Sequence, residues 1–162
     1  MTRIVGYGNV KTMKLSTKST YGLRAMVNLA LKYDEGAISI SDIAKKEDIS
    51  VSYLEQLLNR LRHKGMLESV RGPNGGYVLA KRPKKITVGD IVRVLEGDTA
   101  PVYCVTNQAR LKRSCRRSTT CVAKGVWEKL ADAIDRVLDS VNLEDLARQA
   151  GDEVGHEKDI SR

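Results

Sequence analysis

The stretch that decides the fold is residues 39–80, SISDIAKKEDISVSYLEQLLNRLRHKGMLESVRGPNGGYVLA. Ser39 followed by Asp42 is typical of a helix N-terminus and predicts a short helix. A second, longer helix then begins at a serine cap, either Ser50 or Ser52. Its apolar stripe recurs at three- and four-residue steps: Leu54, Leu57, Leu58 and Leu61. Two helices joined by so short a turn predict a helix–turn–helix.

A β-hairpin pattern follows the second helix. Leu67 and Val70 alternate as in a strand, and residues 77–79 form the returning strand. Between them lies Arg-Gly-Pro-Asn-Gly-Gly, residues 71–76, which is a dense turn signal. Its glycines allow the tip to approach another backbone closely, and Arg71 at its base has the reach to enter a narrow minor groove. The hairpin is therefore predicted to be a wing beside the helix–turn–helix.

A helix–turn–helix with a wing is an arrangement that binds double-stranded DNA, with the second helix in the major groove. On that helix a glutamate can accept from cytosine and a glutamine can pair with adenine, so we expect Ser52, Glu55 and Gln56 to read base edges. Beside them, Arg60 is expected to be solvated or near a phosphate rather than base-specific, and Tyr53 either reaches a phosphate or packs within the protein. The predicted DNA-binding residues are Ser52, Tyr53, Glu55, Gln56, Arg60, Arg71 and Gly75.

The composition agrees with a polyanionic partner. The 162 residues suit one modest domain, and the formal charge of +8 points to nucleic acid or to an anionic membrane surface. No apolar run approaches the roughly 18 residues that cross a bilayer, and the first residues lack the apolar core of a signal peptide, so we expect a cytoplasmic protein. The two histidines, His63 and His156, have no nucleophile or metal-hydrolase spacing, so an enzyme is not expected.

The rest of the chain is organised around this winged unit. We expect a disordered leader over 1–12, the winged helix–turn–helix domain over 13–82, a connecting helix and cysteine-containing sensor loop over 83–121, a dimerisation helix and a short last helix over 122–150, and a disordered tail over 151–162. The predicted fold is therefore mainly α with a small β-hairpin wing, and it ends in a long dimerisation helix.

That long helix is predicted because apolar residues recur with the 3.6-residue period after residue 121. The stripe contains Val122, Val126, Leu130, Ala133, Ile134, Val137, Leu138 and Val141. It either packs on the domain's own core or forms the interface of a homodimer, which a palindromic operator requires. The residues alone leave both interpretations open.

The second feature of interest is a cluster of three cysteines, Cys104, Cys115 and Cys121. Their odd number, without an export signal, argues against a disulfide framework. No Asp or Glu lies between Cys104 and Lys124, but basic residues surround the cysteines: Arg110, Lys112, Arg113, Arg116, Arg117 and Lys124. Such a field favours thiolates, which bind an iron–sulfur cluster or zinc with a fourth ligand from elsewhere. Unligated cysteines, or a further DNA-facing basic patch, are the alternatives.

The motifs resemble those of the Rrf-two family of bacterial winged-helix transcription regulators. The resemblance is carried by SVSYLEQLLNRLRHKG and SVRGPNGGYVLA, residues 50–65 and 69–80, and extends from about Met13 to Ala147. It implies a homodimer whose long helices cross, and we expect a repressor of palindromic operators. It also implies that Arg71 enters the minor groove while the exposed face of the second helix reads the major groove.

The same resemblance implies a cofactor. Cluster-binding members of the family hold a [2Fe–2S] or [4Fe–4S] cluster with three cysteines in this loop, which implies Cys104, Cys115 and Cys121 as ligands. The spacing of the last two cysteines is kept, whereas the first gap is longer. Lys124 stands where one cluster regulator has a histidine, and no carboxylate stands near Thr20, where a nitric-oxide sensor uses an aspartate. The fourth ligand is therefore left unknown.

We therefore expect a DNA-binding regulator that is controlled by an iron–sulfur cluster. Two alternatives keep the DNA-binding role. In one the cysteines form a thiol-redox or zinc site, and in the other the regulator is controlled by docking of a metabolic enzyme, as one cysteine-regulating relative is.

Overall fold

The computed structural model describes residues 15–107, 115, 117 and 119–160. The helices are α1 (Thr17–Leu31), α2 (Ile40–Glu47), α3 (Val51–His63), α4 (Val88–Glu96), α5 (Lys124–Ser140) and α6 (Leu143–Ile160), with 3₁₀ turns at Pro83–Lys85 and Tyr103–Val105, and the strands are β1 (Leu67–Val70) and β2 (Gly76–Leu79). This confirms the mainly α fold with a hairpin wing. The predicted leader, 1–12, and the last two residues of the predicted tail lie outside the described residues.

The helix–turn–helix is formed by α2 and α3, and a serine caps each helix. Ser39 Oγ accepts from the Asp42 N–H at 3.1 Å, and Ser50 Oγ accepts from the Tyr53 N–H at 3.2 Å, so Ser50 is the cap of α3. Asp48 ends α2 in the left-handed conformation, with φ of 52°, and makes the tight turn. The predicted stripe of α3 is buried: Leu54, Leu57, Leu58 and Leu61.

The wing is an antiparallel pair of strands that is tied to the helix–turn–helix. Val70 of β1 lies opposite Gly76 of β2. Ile38, just before α2, exchanges two backbone hydrogen bonds with Tyr77, at 3.1 and 2.9 Å. Gly76 is required beside this bridge, because a Cβ there would clash with the Ile38 carbonyl. The wing is therefore held in a fixed position relative to α2.

Polar contacts hold α5 on α4. The Arg93 guanidinium of α4 donates to both carboxylate oxygens of Asp139, at 2.8 and 2.7 Å, and to Asp135 at 3.2 Å. The hydrogen bonds from Arg93 hold the pKa of Asp139 below its usual value. Thr99 adds a hydrogen bond to Asp135 at 2.6 Å. One face of α5 is therefore fixed by charge rather than by apolar packing.

The apolar stripe predicted for α5 is partly exposed and partly half-buried. The helix begins at Lys124, so Val122 precedes it and is 99% exposed. Val126, Leu130 and Val137 are 61%, 41% and 66% exposed, and by the helical period they point away from the face that binds α4. The remaining members of the stripe are half-buried: Ala133, Ile134, Leu138 and Val141.

The last helix returns to the core. Leu143 at the start of α6 is fully buried in the same apolar cluster as Leu54 and Met26. Its N–H donates to the Ile86 carbonyl at 3.0 Å, which fixes the α5–α6 junction beside the start of α4. The winged unit and the last helix thus share one core.

The end of α6 also differs from the prediction. The helix continues to Ile160, whereas a helix end at Ala150 and a disordered tail from Gly151 were predicted. A glycine costs a helix only about 1 kcal/mol relative to alanine, and the residues around Gly151 include strong helix formers such as glutamate and lysine. Within the described part of the chain, no helix is long and apolar enough to cross a membrane.

Candidate nucleic-acid interface and cysteine loop

The N-terminal half of α3 presents a polar face to solvent. Ser52, Glu55 and Gln56 are all exposed, opposite the buried leucines of the same helix. Their three- and four-residue spacing makes them neighbours on the helix surface. Together they offer hydroxyl, carboxylate and amide groups, which can both donate and accept hydrogen bonds. The structure thus brings the three predicted base-reading residues into one patch, which we call the recognition patch.

Tyr53 and Arg60 lie at one edge of the recognition patch, and both have partners within the chain. Tyr53 is half-buried, its ring meets Tyr21 edge to face with centroids 6.2 Å apart, and its hydroxyl lies 3.2 Å from Thr17 Oγ1. Arg60 Nη1 donates to the Leu95 carbonyl oxygen at 3.3 Å. Both side chains therefore have a partner within the chain, and for Tyr53 this agrees with the packing alternative.

The wing adds a cation at the base of its loop. Arg71 directly follows β1 and is exposed. The Gly75 N–H donates to the Gly72 carbonyl at 2.9 Å and closes the turn. A Cβ at Gly75 would lie 2.5 Å from the Val70 carbonyl oxygen, so only glycine fits. The tip is therefore compact, and the predicted minor-groove arginine stands beside it.

Asp98 organises the segment that contains Cys104. Its carboxylate accepts from the N–H groups of Ala100 and Asn107, each at 2.9 Å, and from the hydroxyl of Thr106. Burial alone would raise the pKa of Asp98, but the three hydrogen bonds outweigh it and hold the pKa below its usual value. Cys104 lies in the 3₁₀ turn that these bonds enclose. We call this set of bonds the Asp98 clip.

The three cysteines are half-buried. The pKa of Cys104 is raised, first by burial and then by the nearby Cys115 and Cys121. Cys104 therefore lies near the other two predicted ligands. For Cys104 the shift is opposite to the thiolate stabilisation predicted from the basic field. Four of the basic residues that define this field lie outside the described residues: Arg110, Lys112, Arg113 and Arg116.

The chemistry of the three donors suits a metal centre, since three thiols are typical ligands of iron–sulfur and zinc sites. Among the described residues, however, no group of three or more Cys, His, Asp or Glu side chains has the arrangement of a metal site. Lys124 pairs with Glu128 at 3.5 Å and offers no substitute for a histidine ligand. Ligation by the three cysteines therefore stays a prediction, and so does the identity of a fourth ligand.

Two residues that hold the site together were missed by the sequence analysis. Asp98 was not singled out, although aspartate side chains outside helices commonly accept hydrogen bonds from nearby backbone N–H groups. Arg93 was not singled out either. Its ion pairs join positions 46 residues apart, which no local periodicity reveals.

The fold and these surfaces define a class of protein. A helix–turn–helix with an exposed polar face, a hairpin wing and a formal charge of +8 are the features of a winged helix–turn–helix DNA-binding protein. Comparison with known families agrees, because the Rrf2 family, described as "Iron-dependent Transcriptional regulator", matches residues 15–149. The chain belongs to the Rrf2 family, so it is a transcription regulator and not an enzyme.

Individual relatives support this assignment. HTH-type transcriptional regulator CymR of Bacillus subtilis (strain 168) is 45% identical over 135 residues, which are 83% of this chain and 90% of CymR. The solved structure of T. potens IscR is 43% identical with a TM-score of 0.69, over 85% of this chain and 88% of IscR. The oxidized form of Staphylococcus aureus CymR is 39% identical with a TM-score of 0.66, over 83% of this chain and 96% of that one.

Proposed function

We propose that the chain is a homodimeric repressor that binds a palindromic operator and is controlled by its three-cysteine loop. The observation that carries the proposal is the recognition patch on α3 beside the arginine-bearing wing. In this proposal residues 13–82 form the DNA-binding unit, residues 83–121 the connecting helix and sensor loop, and residues 122–150 the dimerisation unit. A regulator that binds DNA acts where the DNA is, so the proposed location is the cytoplasm.

The exposed part of α5 supports the dimer. Val126, Leu130 and Val137 form an apolar row on the side of α5 that faces away from α4. In a symmetric dimer the same row of the partner covers it, because a twofold interface pairs one patch with its own copy. Two recognition patches on one dimer then match the two halves of a palindrome.

We further propose that the loop holds an iron–sulfur cluster of the [2Fe–2S] or [4Fe–4S] type. Cys104, Cys115 and Cys121 would be its ligands, and the cluster would supply an oxidisable group whose gain or loss reorganises the loop. The proximity of the three thiols and the description of the family as iron-dependent support this. The thiols must lose their protons on ligation, so the raised pKa of Cys104 makes cluster binding more dependent on pH.

A second candidate is direct thiol chemistry in the same loop. It is supported by the proximity of Cys115 to Cys104, since Cys115 contributes, after burial, to the raised pKa of the Cys104 thiol. Similarity to a regulator solved in an oxidized form points the same way. In this case an oxidant would join two of the thiols, and their disulfide would replace the cluster as the signal.

Selection of random DNA duplexes on the purified protein tests the DNA-binding part and yields a probe, which we call the selected duplex. Arg71→Ala and Gln56→Ala should each weaken binding to it by about 1–3 kcal/mol, because each removes a base contact. Arg148→Ala, on the exposed surface of α6, is the matched control and should leave the affinity unchanged. Failure to enrich any sequence, or unchanged affinity in both test variants, would contradict the proposal.

Metal analysis separates the two candidates for the loop. Anaerobically prepared protein should contain iron and acid-labile sulfide, and both should fall in Cys115→Ala. Iron-free protein in which hydrogen peroxide forms a disulfide, detected by mass spectrometry, would establish the thiol candidate and reject the cluster. Zinc at one equivalent without sulfide would reject both.

A further inference from the structure

The end of α4 is bonded to three other parts of the chain. Leu95 is buried and packs so closely on Gly22 of α1 that a Cβ at Gly22 would clash with it. Its carbonyl lies in the last turn of α4, where carbonyls lack donors from their own helix, and Arg60 of α3 donates to it. A cation at a helix C-terminus is also favoured by the helix dipole. Arg60 thus joins the recognition helix to the end of α4.

Glu96, the next residue, fixes the start of α1. Its Oε1 accepts from the Ser16 N–H at 2.9 Å, from the Ser16 hydroxyl at 2.6 Å and from the Ser19 hydroxyl at 2.9 Å. Burial alone would raise the pKa of Glu96, but these hydrogen bonds outweigh it and keep the pKa below its usual value. The end of α4 therefore cannot move without disturbing α1.

The Asp98 clip begins two residues further on. Between it and Glu96 lies Gly97, whose φ of 97° makes the sharp exit from α4. The clip encloses the turn of Cys104, so this part of the cysteine loop is bonded to a residue only three positions from Leu95. A continuous line of contacts thus runs from the cysteine loop through the end of α4 to α3.

We propose that Arg60 is a positioning residue that transmits the state of the cysteine loop to the recognition patch. A rearrangement of the loop loosens the Asp98 clip, shifts the end of α4, and moves α3 through the Arg60–Leu95 hydrogen bond. Arg60 lies one helical turn from Gln56, so a small displacement at Arg60 alters the approach of the patch to base edges. This inference rests on the proposed function and replaces the predicted contact of Arg60 with DNA.

A double-mutant cycle on the affinity for the selected duplex tests the inference. Thr106→Val removes one donor of the Asp98 clip, Arg60→Met removes the bond to Leu95 while keeping the length of the side chain, and both are combined. Arg62→Met, which removes an exposed charge from the same helix, is the matched control. Thermal unfolding checks that each variant is folded. If Arg60→Met does not fold, Arg60→Ala takes its place, because alanine also removes the bond to Leu95 and favours helix.

The expected result is that Thr106→Val changes the affinity by about threefold or more in the wild-type and Arg62→Met backgrounds, but not in the Arg60→Met background. The dependence of affinity on salt should be the same for Arg60→Met and the wild type. Additive effects in the cycle would overturn the inference. A salt slope reduced by about one in Arg60→Met would also overturn it, since that identifies a phosphate contact. The mutant cycle and the salt dependence are both measured on the selected duplex. If the proposed DNA-binding function is wrong, no such duplex is obtained, so that failure is distinct from a failure of this inference.

Discussion

Leu130 provides a sharp test of the proposed dimer. Full burial of a valine or leucine side chain contributes about 1.5–3 kcal/mol. At exposures of 61%, 41% and 66%, covering Val126, Leu130 and Val137 would contribute about 2.5–5 kcal/mol per protomer, and twice that in a symmetric dimer. Leu130→Glu removes part of this gain in both protomers and places two carboxylates in or beside the interface. We expect the dimer to weaken by at least about 3 kcal/mol, or more than about 100-fold in its dissociation constant.

Sedimentation equilibrium over a range of protein concentrations measures this change. Val51→Glu is the matched control, because Val51 is 42% exposed against 41% for Leu130 and lies outside the stripe. Glutamate suits both positions, since it favours helix and Val51 is in the first turn of α3, where a negative charge is tolerated. A monomeric Leu130→Glu and a dimeric Val51→Glu are expected. Equal dimerisation of the two variants, or a monomeric wild type, would refute the reasoning.

Three further predictions concern the wing, the α1–α4 contact and the thiols. Gly76→Ala should lower the free energy of unfolding by about 1–3 kcal/mol in denaturant titrations, because the added Cβ clashes with the Ile38 carbonyl. Gly125→Ala is the control and should not lower it, since the space around Gly125 is open. The pKa of Glu96 is lowered by folding, so the Glu96 carboxylate stabilises the folded state fully above its ordinary pKa of about 4.3, and this stabilisation is lost as the pH falls through the folded value. The difference in unfolding free energy between wild type and Glu96→Gln should therefore shrink in acid. A difference that does not change with pH would contradict this. Alkylation of Cys104 by iodoacetamide at pH 7 should be slower than that of free cysteine, because burial, and after it Cys115, raises the pKa of the Cys104 thiol; an equal rate would contradict this.

The winged helix–turn–helix could be predicted because its signals are local. The hydrogen bond between Ser39 and Asp42 joins residues three positions apart, and a run of glycines, proline and asparagine predicts the turn of the wing. The buried stripe of α3 follows from the helical period alone. The same locality explains why Ser52, Glu55 and Gln56 were correctly expected to share one face.

The contacts between distant parts of the chain could not be predicted in the same way. Arg60 and Leu95 are 35 residues apart, and Arg93 and Asp139 are 46 residues apart. Sequence periodicity gives the face of a helix on which a residue lies, but not the element that this face meets. For Arg60 the outcome is a partner on α4 where a phosphate had been considered. For α5 it is a stripe that only partly packs within the chain.

The central claim is that the cysteine loop controls DNA binding, and one measurement tests it directly. The affinity of anaerobically prepared protein for the selected duplex is measured before and after removal of iron with a chelator, and before and after oxidation with hydrogen peroxide. We expect at least one treatment to change the affinity by about fivefold or more, and the change to disappear when Cys115 is replaced by alanine. An affinity that is the same in every state, or a change that persists in Cys115→Ala, would contradict the account.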